Sequence, residues 1–190
     1  GYKLKQAKNL ISATQYADSF MELSAMLTVV AADLIKYMND LRLLASGPRS
    51  GITEIGFEPR QKGSTIMPGK INPVMAETVN QVCFQVIGNN QATFMAVQAG
   101  QLELNVFLQI VAKNLFESLE LLTRALSQFE KYGLATLSAR GNRCRELFEN
   151  SLTMATALTP KIGYDKAAAL VRRAINNNKK IKEVLLEAGT

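Results

Sequence analysis

The sequence predicts an all-α fold, a bundle of long helices followed by a small C-terminal helical domain. Apolar residues recur every three or four positions along three long stretches, which places them on one face of a helix. No stretch between them alternates polar and apolar residues, as a half-buried strand would. Because the pattern changes after Gly133, we expect a helical-bundle domain over residues 1–138 and a small helical domain over residues 139–190.

The first long helix is predicted to begin at Asp18, a suitable capping residue, and to end before Gly47-Pro48. A helix of this length in a chain of 190 residues is typical of a bundle. Its apolar stripe comprises Phe20, Leu23, Leu27, Val30, Leu34, Met38, Leu41 and Leu44. Residues 1–12 are basic and only weakly patterned.

Two more long helices are predicted over residues 73–97 and 103–132. The stripe of the first comprises Val79, Val82, Val86 and Ile87, and that of the second comprises Leu104, Leu108, Val111, Leu115, Leu119, Leu122, Leu126 and Phe129. Such continuous stripes indicate that further helices, contributed by other subunits, complete the core. A self-contained three-helix bundle is the alternative.

Three shorter helices are predicted in the tail, over residues 143–158, 164–175 and 181–188, with Thr159-Pro160 ending the first. Between Lys161 and Lys182 the tail is basic, with Asp165 as the single acid in that range against seven basic residues, Lys161, Lys166, Arg172, Arg173, Lys179, Lys180 and Lys182. Because no series of aromatic residues is interleaved for base stacking, a solvated helix face is favoured over nucleic-acid binding.

Composition narrows the possible chemistry. The chain has a net charge of +6, 47% hydrophobic residues and no histidine, so the commonest general acid–base and metal ligand is missing. Cys83 and Cys144 fit no metal spacing, and we expect packed, reduced thiols in a cytoplasmic protein. No apolar run reaches the roughly 20 residues of a membrane span. Neither a metal site nor a membrane span is therefore expected.

A loop over residues 63–73, Gly-Ser-Thr-Ile-Met-Pro-Gly-Lys-Ile-Asn-Pro, interrupts the helical pattern. We expect Asn72 to cap the second long helix and Pro73 to occupy its first position. Ser64, Thr65 and Lys70 would then lie at the positive end of a helix, an arrangement suited to binding an anion and removing a proton.

Two familiar chemistries do not fit this loop. A Walker phosphate loop needs four residues between its first glycine and Gly-Lys, and here five intervene, with Ile71 in place of Ser or Thr. A serine–lysine hydrolase needs its two residues in contact, whereas Ser64 and Lys70 are separated by a Pro-Gly turn. The chemistry that fits the loop is removal of a proton by Ser64 next to a bound carboxylate. The alternative is a glycine-rich hinge without a chemical role.

The loop resembles the signature of the aspartase/fumarase superfamily, GSSxMPxKxNP, with Thr65 in place of the second serine. The segments at residues 46–51, 101–106 and 162–168 also resemble the family, so the resemblance spans the chain. It implies that the chain is the C-terminal portion of a longer protein. The family's partner histidine and amino-group contacts would come from the N-terminal half, so we expect the 190 residues alone to be inactive.

Within the superfamily, residues 73–77, 79–83 and 100–104 are more similar to the aspartate ammonia-lyases than to the class II fumarases. This resemblance implies reversible elimination of ammonia from L-aspartate to give fumarate, through an aci-carboxylate intermediate, without a cofactor, in a homotetramer. The alternatives are a class II fumarase, which hydrates fumarate to malate, and a non-catalytic helical assembly module.

The resemblance also implies a role for each matching residue. Ser64 would be the base that removes the C3 proton of the substrate. Lys70 and Asn72 would bind one carboxylate, and backbone N–H groups of the loop would hold the other, where charge develops. Thr65 and Met67 would also contact the substrate. Glu77 would be an acid behind the site, paired with a histidine from another segment.

Overall fold

The computed structural model describes residues 1–61 and 66–187. The chain divides into two compact units, Gly1–Ser138 and Ala139–Thr190. Nearly all regular structure in the described residues is helical, which confirms the predicted all-α class. Two strands of two residues each, β1 (Ile55–Gly56) and β2 (Ser138–Ala139), pair with each other.

The first unit is built on three long helices. Its helices are α1 (Leu10–Gln15), α2 (Asp18–Leu44), α3 (Val74–Gln98) and α4 (Leu108–Tyr132), followed by a 3₁₀ turn at Leu134–Thr136. Helix α3 packs along both α2 and α4 and is therefore central. The core contains many small residues, which let the helices approach closely; its buried members are Ala31, Met38, Ala76, Val79, Cys83, Val86, Leu122, Ala125 and Phe129.

Two predicted caps are wrong by one residue. Asp18 is the first residue of α2, and Ala17 occupies the cap position without a side-chain bond. Asn72 does not cap α3, because Pro73 occupies the cap position. The Pro73 carbonyl oxygen accepts the amides of Ala76 and Glu77 at 3.0 and 3.2 Å, which closes the first turn one residue later than predicted.

Helix α4 begins at Leu108, later than predicted, because residues 101–104 form a tight turn. Gln101 and Leu104 exchange both backbone hydrogen bonds, at 3.0 and 3.2 Å. The buried Asn105 side chain then donates to the Ala96 and Val97 carbonyl oxygens at 3.0 and 3.1 Å. This amide satisfies two carbonyls at the end of α3 and fixes the turn between the helices.

The segment after α2 is a second compact turn, built on Ser46. Its hydroxyl donates to the Leu43 carbonyl oxygen at 2.6 Å and accepts the Ile52 amide at 3.1 Å. The buried Thr53 hydroxyl donates to the Ser46 carbonyl oxygen at 2.7 Å. Helix α2 is therefore joined to the loop before α3 by an ordered turn.

The second unit contains four short helices, α5 (Gly141–Asn150), α6 (Met154–Ile162), α7 (Tyr164–Asn176) and α8 (Ile181–Glu187). The prediction of one helix over residues 143–158 is wrong, because Ser151 leaves the helical conformation and its hydroxyl accepts the Thr153 amide at 3.3 Å. Pro160 lies inside α6, near its end, where it removes only one backbone donor. The buried core comprises Ala155, Ala174, Ile181 and Val184.

Only part of each predicted apolar stripe is buried. On α2, Met38 is 4% exposed, whereas Phe20 is 52% and Val30 is 46% exposed. On α4, Val111 is buried and Leu119 is 40% exposed. Three helices cover only the faces that point at one another, so outward apolar side chains remain uncovered within the described chain.

Candidate active site

The loop before α3 enters the helix through a type II turn. The Lys70 amide donates to the Met67 carbonyl oxygen at 3.3 Å, and Gly69 has a φ of 84°. Proline at the second position and glycine at the third are the residues this turn requires, because the third position has positive φ. The local sequence Met67–Lys70 therefore favours the turn that brings Lys70 to the start of α3.

Lys70 and Asn72 lie just ahead of the first turn of α3. Lys70 is exposed, and none of the ion pairs among residues 1–61 and 66–187 involves it. Asn72 is half-buried, and its carbonyl oxygen accepts the Val74 amide at 2.9 Å. An exposed ammonium group beside a helix N-terminus can bind a carboxylate.

Glu77 lies in the first turn of α3 and faces the end of α2. Its Oε1 is 3.8 Å from Arg42 Nε, and both side chains are partly exposed. Sequence reasoning missed Arg42. No local sequence pattern indicates the pair of Arg42 and Glu77, because the two residues lie on different helices whose relative rotation is set by packing.

The chain on either side of the loop converges on Tyr132 at the end of α4. Arg60 donates from Nε to the Tyr132 carbonyl oxygen at 3.4 Å, and its guanidinium lies 4.6 Å from the ring centroid. A hydrogen bond from Lys131, helped by the charges of Lys131 and Arg60, lowers the pKa of Tyr132. Asn72 and Arg60 also line one small cavity of about 10 Å³, room for about one water molecule.

Ser64 and Thr65 lie outside the described residues, so their predicted roles remain predictions. Met67 is 51% exposed, as suits a residue next to an open site. The described residues thus bring together Lys70, Asn72 and the start of α3.

Other site types find little support in the described part of the chain. No group of three His, Cys, Asp or Glu side chains there could hold a metal ion. Cys83 is fully buried, and burial raises the pKa of its thiol. Cys144 is half-buried, and neither cysteine forms a disulfide. No helix among residues 1–61 and 66–187 has the length and apolarity to cross a membrane.

Two family models match the chain. The model described as Lyase matches residues 1–88, and the model described as Fumarase C C-terminus matches residues 154–190. The first match covers α2 and the candidate site.

Curated relatives match along the whole chain. The aspartate ammonia-lyase of Pseudomonas fluorescens is 47% identical over 189 residues, which is 100% of this chain and 40% of that protein. The aspartate ammonia-lyase of Bacillus subtilis (strain 168) is 42% identical over 98% of this chain and 39% of that protein. The chain therefore spans about 40% of the length of the curated relatives it matches.

Solved structures agree with the fold. Fumarate lyase:delta crystallin from Brucella melitensis, in its native form, has a TM-score of 0.90 at 43% identity, covering 96% of this chain and 43% of that one. Recombinant class II fumarase from Schistosoma mansoni has a TM-score of 0.89 at 38% identity, covering 98% of this chain and 39% of that one.

Proposed function

This chain belongs to the aspartase/fumarase superfamily, and on that premise we propose that it forms part of an aspartate ammonia-lyase. The reaction is the reversible elimination of ammonia from L-aspartate to give fumarate. The observation that carries the proposal is the 47% identity to an enzyme of that name along the whole chain. The type II turn that presents Lys70 at the start of α3 supports it.

In the proposed mechanism, Ser64 removes the proton from C3 of L-aspartate. The electron pair moves into the adjacent carboxylate, which becomes an aci-carboxylate with two negative charges. When that pair returns to form the C2–C3 double bond, the C2–N bond breaks and ammonia leaves. A base and fixed hydrogen-bond donors suffice for this route, so no organic cofactor is part of it.

The other loop residues hold the substrate in this proposal. Lys70 and Asn72 bind one carboxylate, supported by the exposed ammonium of Lys70 and by the N-terminus of α3. Thr65 and the backbone at Met67 contact the carboxylate on which charge develops. Glu77 stands behind them and pairs with a histidine from the rest of the protein.

A homotetramer is part of the proposal. Large apolar side chains stay exposed on all three long helices, among them Met26, Phe84, Met95 and Phe116. An apolar groove of about 330 Å³ between α2 and α4 is lined entirely by apolar residues, among them the exposed Phe20 and Phe116. Large exposed apolar side chains gathered around such a groove mark a protein interface. Light scattering of the intact protein measures the number of subunits. A cytoplasmic location, proposed with it, is supported by two cysteines that form no disulfide.

A class II fumarase is the second candidate, favoured by the similarity to the Schistosoma mansoni fumarase and by the match of the tail to the fumarase model. The intact protein is assayed for fumarate formation from L-aspartate and from L-malate. We expect turnover of L-aspartate. Turnover of L-malate alone would identify a fumarase, and turnover of neither would leave the non-catalytic assembly module.

A further inference from the structure

Four polar side chains join the end of α2 to the start of α3. Asn39 and Arg42 lie one turn apart on α2, and Glu77 and Asn80 lie one turn apart on α3. Asn39 Oδ1 accepts two hydrogen bonds, from Asn80 Nδ2 at 2.9 Å and from Arg42 Nη1 at 3.2 Å. Arg42 Nε then lies 3.8 Å from Glu77 Oε1. We call these residues the α2–α3 polar cluster.

In the α2–α3 polar cluster, the buried Asn80 side chain holds Asn39, and Asn39 in turn holds Arg42. Asn80 is only 4% exposed, so its amide nitrogen needs an acceptor within the protein, and Asn39 supplies it, while Asn80 Oδ1 has no partner among the described residues. That bond fixes the oxygen to which Arg42 also donates. The guanidinium is rigid and planar, so holding Nη1 at Asn39 also directs Nε toward Glu77.

Glu77 would otherwise have a competing partner. It is the only acid in the first turn of α3, and no side chain caps that helix. A carboxylate there is attracted to the free N–H groups of its own helix. Arg42 draws Oε1 toward α2 instead and leaves Oε2 able to accept a hydrogen bond from elsewhere.

We propose that Arg42 is a positioning residue for the elimination reaction, fixed by Asn39 and Asn80, and that it acts by orienting the Glu77 carboxylate. The inference rests on the proposed function, in which Glu77 pairs with a histidine behind the base. In this inference, Arg42 at the end of α2 helps to order the site at the start of α3.

The test is a kinetic double-mutant cycle in the intact protein, with Arg42→Gln, Glu77→Gln and the two combined. Arg42→Gln should lower kcat about tenfold, since a misplaced catalytic contact costs up to about a hundredfold, and should change KM much less. In the Glu77→Gln background, Arg42→Gln should lower kcat no further. Arg42→Lys should restore part of the loss, because lysine keeps the charge but not the fork.

Arg124→Gln is the matched control. Arg124 is an exposed arginine that pairs with Glu120 on its own helix, and its loss should leave kcat unchanged. Equal losses of kcat from Arg42→Gln with and without Glu77 would overturn the proposal. An unchanged kcat with a lower Tm would overturn it too, because Arg42 would then only stabilise the fold.

Two further measurements, thermal unfolding and turnover of L-malate, distinguish failure of this inference from failure of the proposed function. Thermal unfolding of the same four proteins should show Tm losses that do not add, and additive losses would show that Arg42 and Glu77 do not interact. If the unsubstituted protein acts on L-malate and not on L-aspartate, the proposed substrate fails and the cycle on L-malate decides the role of Arg42. A protein that turns over neither substrate overturns both.

Discussion

At the scale of single residues, the turn after α2 depends on Gly51. A Cβ on Gly51 would lie 2.3 Å from the carbonyl carbon and oxygen of Ser46 and 2.5 Å from the Gly47 nitrogen. These are backbone atoms, which cannot move aside as a side chain could. The turn therefore admits no side chain at this position.

We predict that Gly51→Ala lowers the free energy of unfolding by about 2–4 kcal/mol, the scale of severe overpacking. Gly88→Ala is the control, because Gly88 lies on α3 with open space where its Cβ would project, and should stabilise by up to about 1 kcal/mol. Urea denaturation measures both. A Gly51→Ala protein as stable as the parent would show that the turn can open without cost.

Residue chemistry was predictable from sequence where it is local. Pro68-Gly69 determines a type II turn by itself, and the structure contains that turn. Arg42 was not predictable, because its contact with Glu77 depends on how α2 and α3 are rotated against each other. The cap of α3 was not predictable from residue preference, since asparagine is a preferred cap residue and yet Pro73 occupies the cap position.

At the scale of elements, α3 and α4 are joined by a polar seam as well as by apolar packing. Asn89 Nδ2 donates to Glu117 Oε2 at 2.9 Å and to Ser118 Oγ at 3.1 Å. Asn114 Nδ2 donates to the Asn89 carbonyl oxygen at 3.3 Å. The apolar pattern predicted the two helices but not this seam, because a buried amide is stable only when its partner faces it on the other helix.

The hydrogen bonds to Glu117 in this seam predict that the stability of the fold depends on pH. Hydrogen bonds from Lys113 and then Asn89 lower the pKa of Glu117 below its usual 4.5. A carboxylate with a lowered folded pKa stabilises the fold above its unfolded pKa, and this contribution is lost as the pH falls through the folded value. We therefore expect Glu117→Gln to reduce the drop in Tm between about pH 6 and about pH 3.

Glu130→Gln on the same helix is the control for that measurement, since Glu130 is exposed and forms no ion pair with a described residue. Its pH dependence should match that of the unsubstituted protein. The effect at Glu117 should be small, because the carboxylate is partly exposed and screened by solvent. An unchanged pH dependence in Glu117→Gln would show that the seam does not depend on its charge.

At the scale of the whole molecule, periodicity predicted the all-α class and three long helices. It could not predict which part of each stripe is buried. The turn at residues 101–104 shortens α4, and the uncovered apolar side chains on α2 and α4 show that three helices do not satisfy the pattern. An apolar stripe marks the faces on which a helix packs, whether the partner belongs to the same chain or to another.

The chain alone should not catalyse. It contains no histidine, and it spans about 40% of the length of its aspartate ammonia-lyase relatives. The purified 190-residue chain is therefore expected to form no fumarate from L-aspartate, measured by ultraviolet absorbance, while circular dichroism shows it to be helical. Measurable turnover by this chain would contradict the proposal that Glu77 requires a partner from elsewhere.

The most direct test of the proposed function is fumarate formation from L-aspartate by the intact protein with Ser64→Ala. Ser127→Ala, on the exposed surface of α4, is the matched control. We predict that Ser64→Ala lowers kcat at least about a thousandfold, as loss of an essential base does, with Tm and subunit number unchanged. Retention of kcat by Ser64→Ala would contradict the assignment of the loop as the source of the catalytic base.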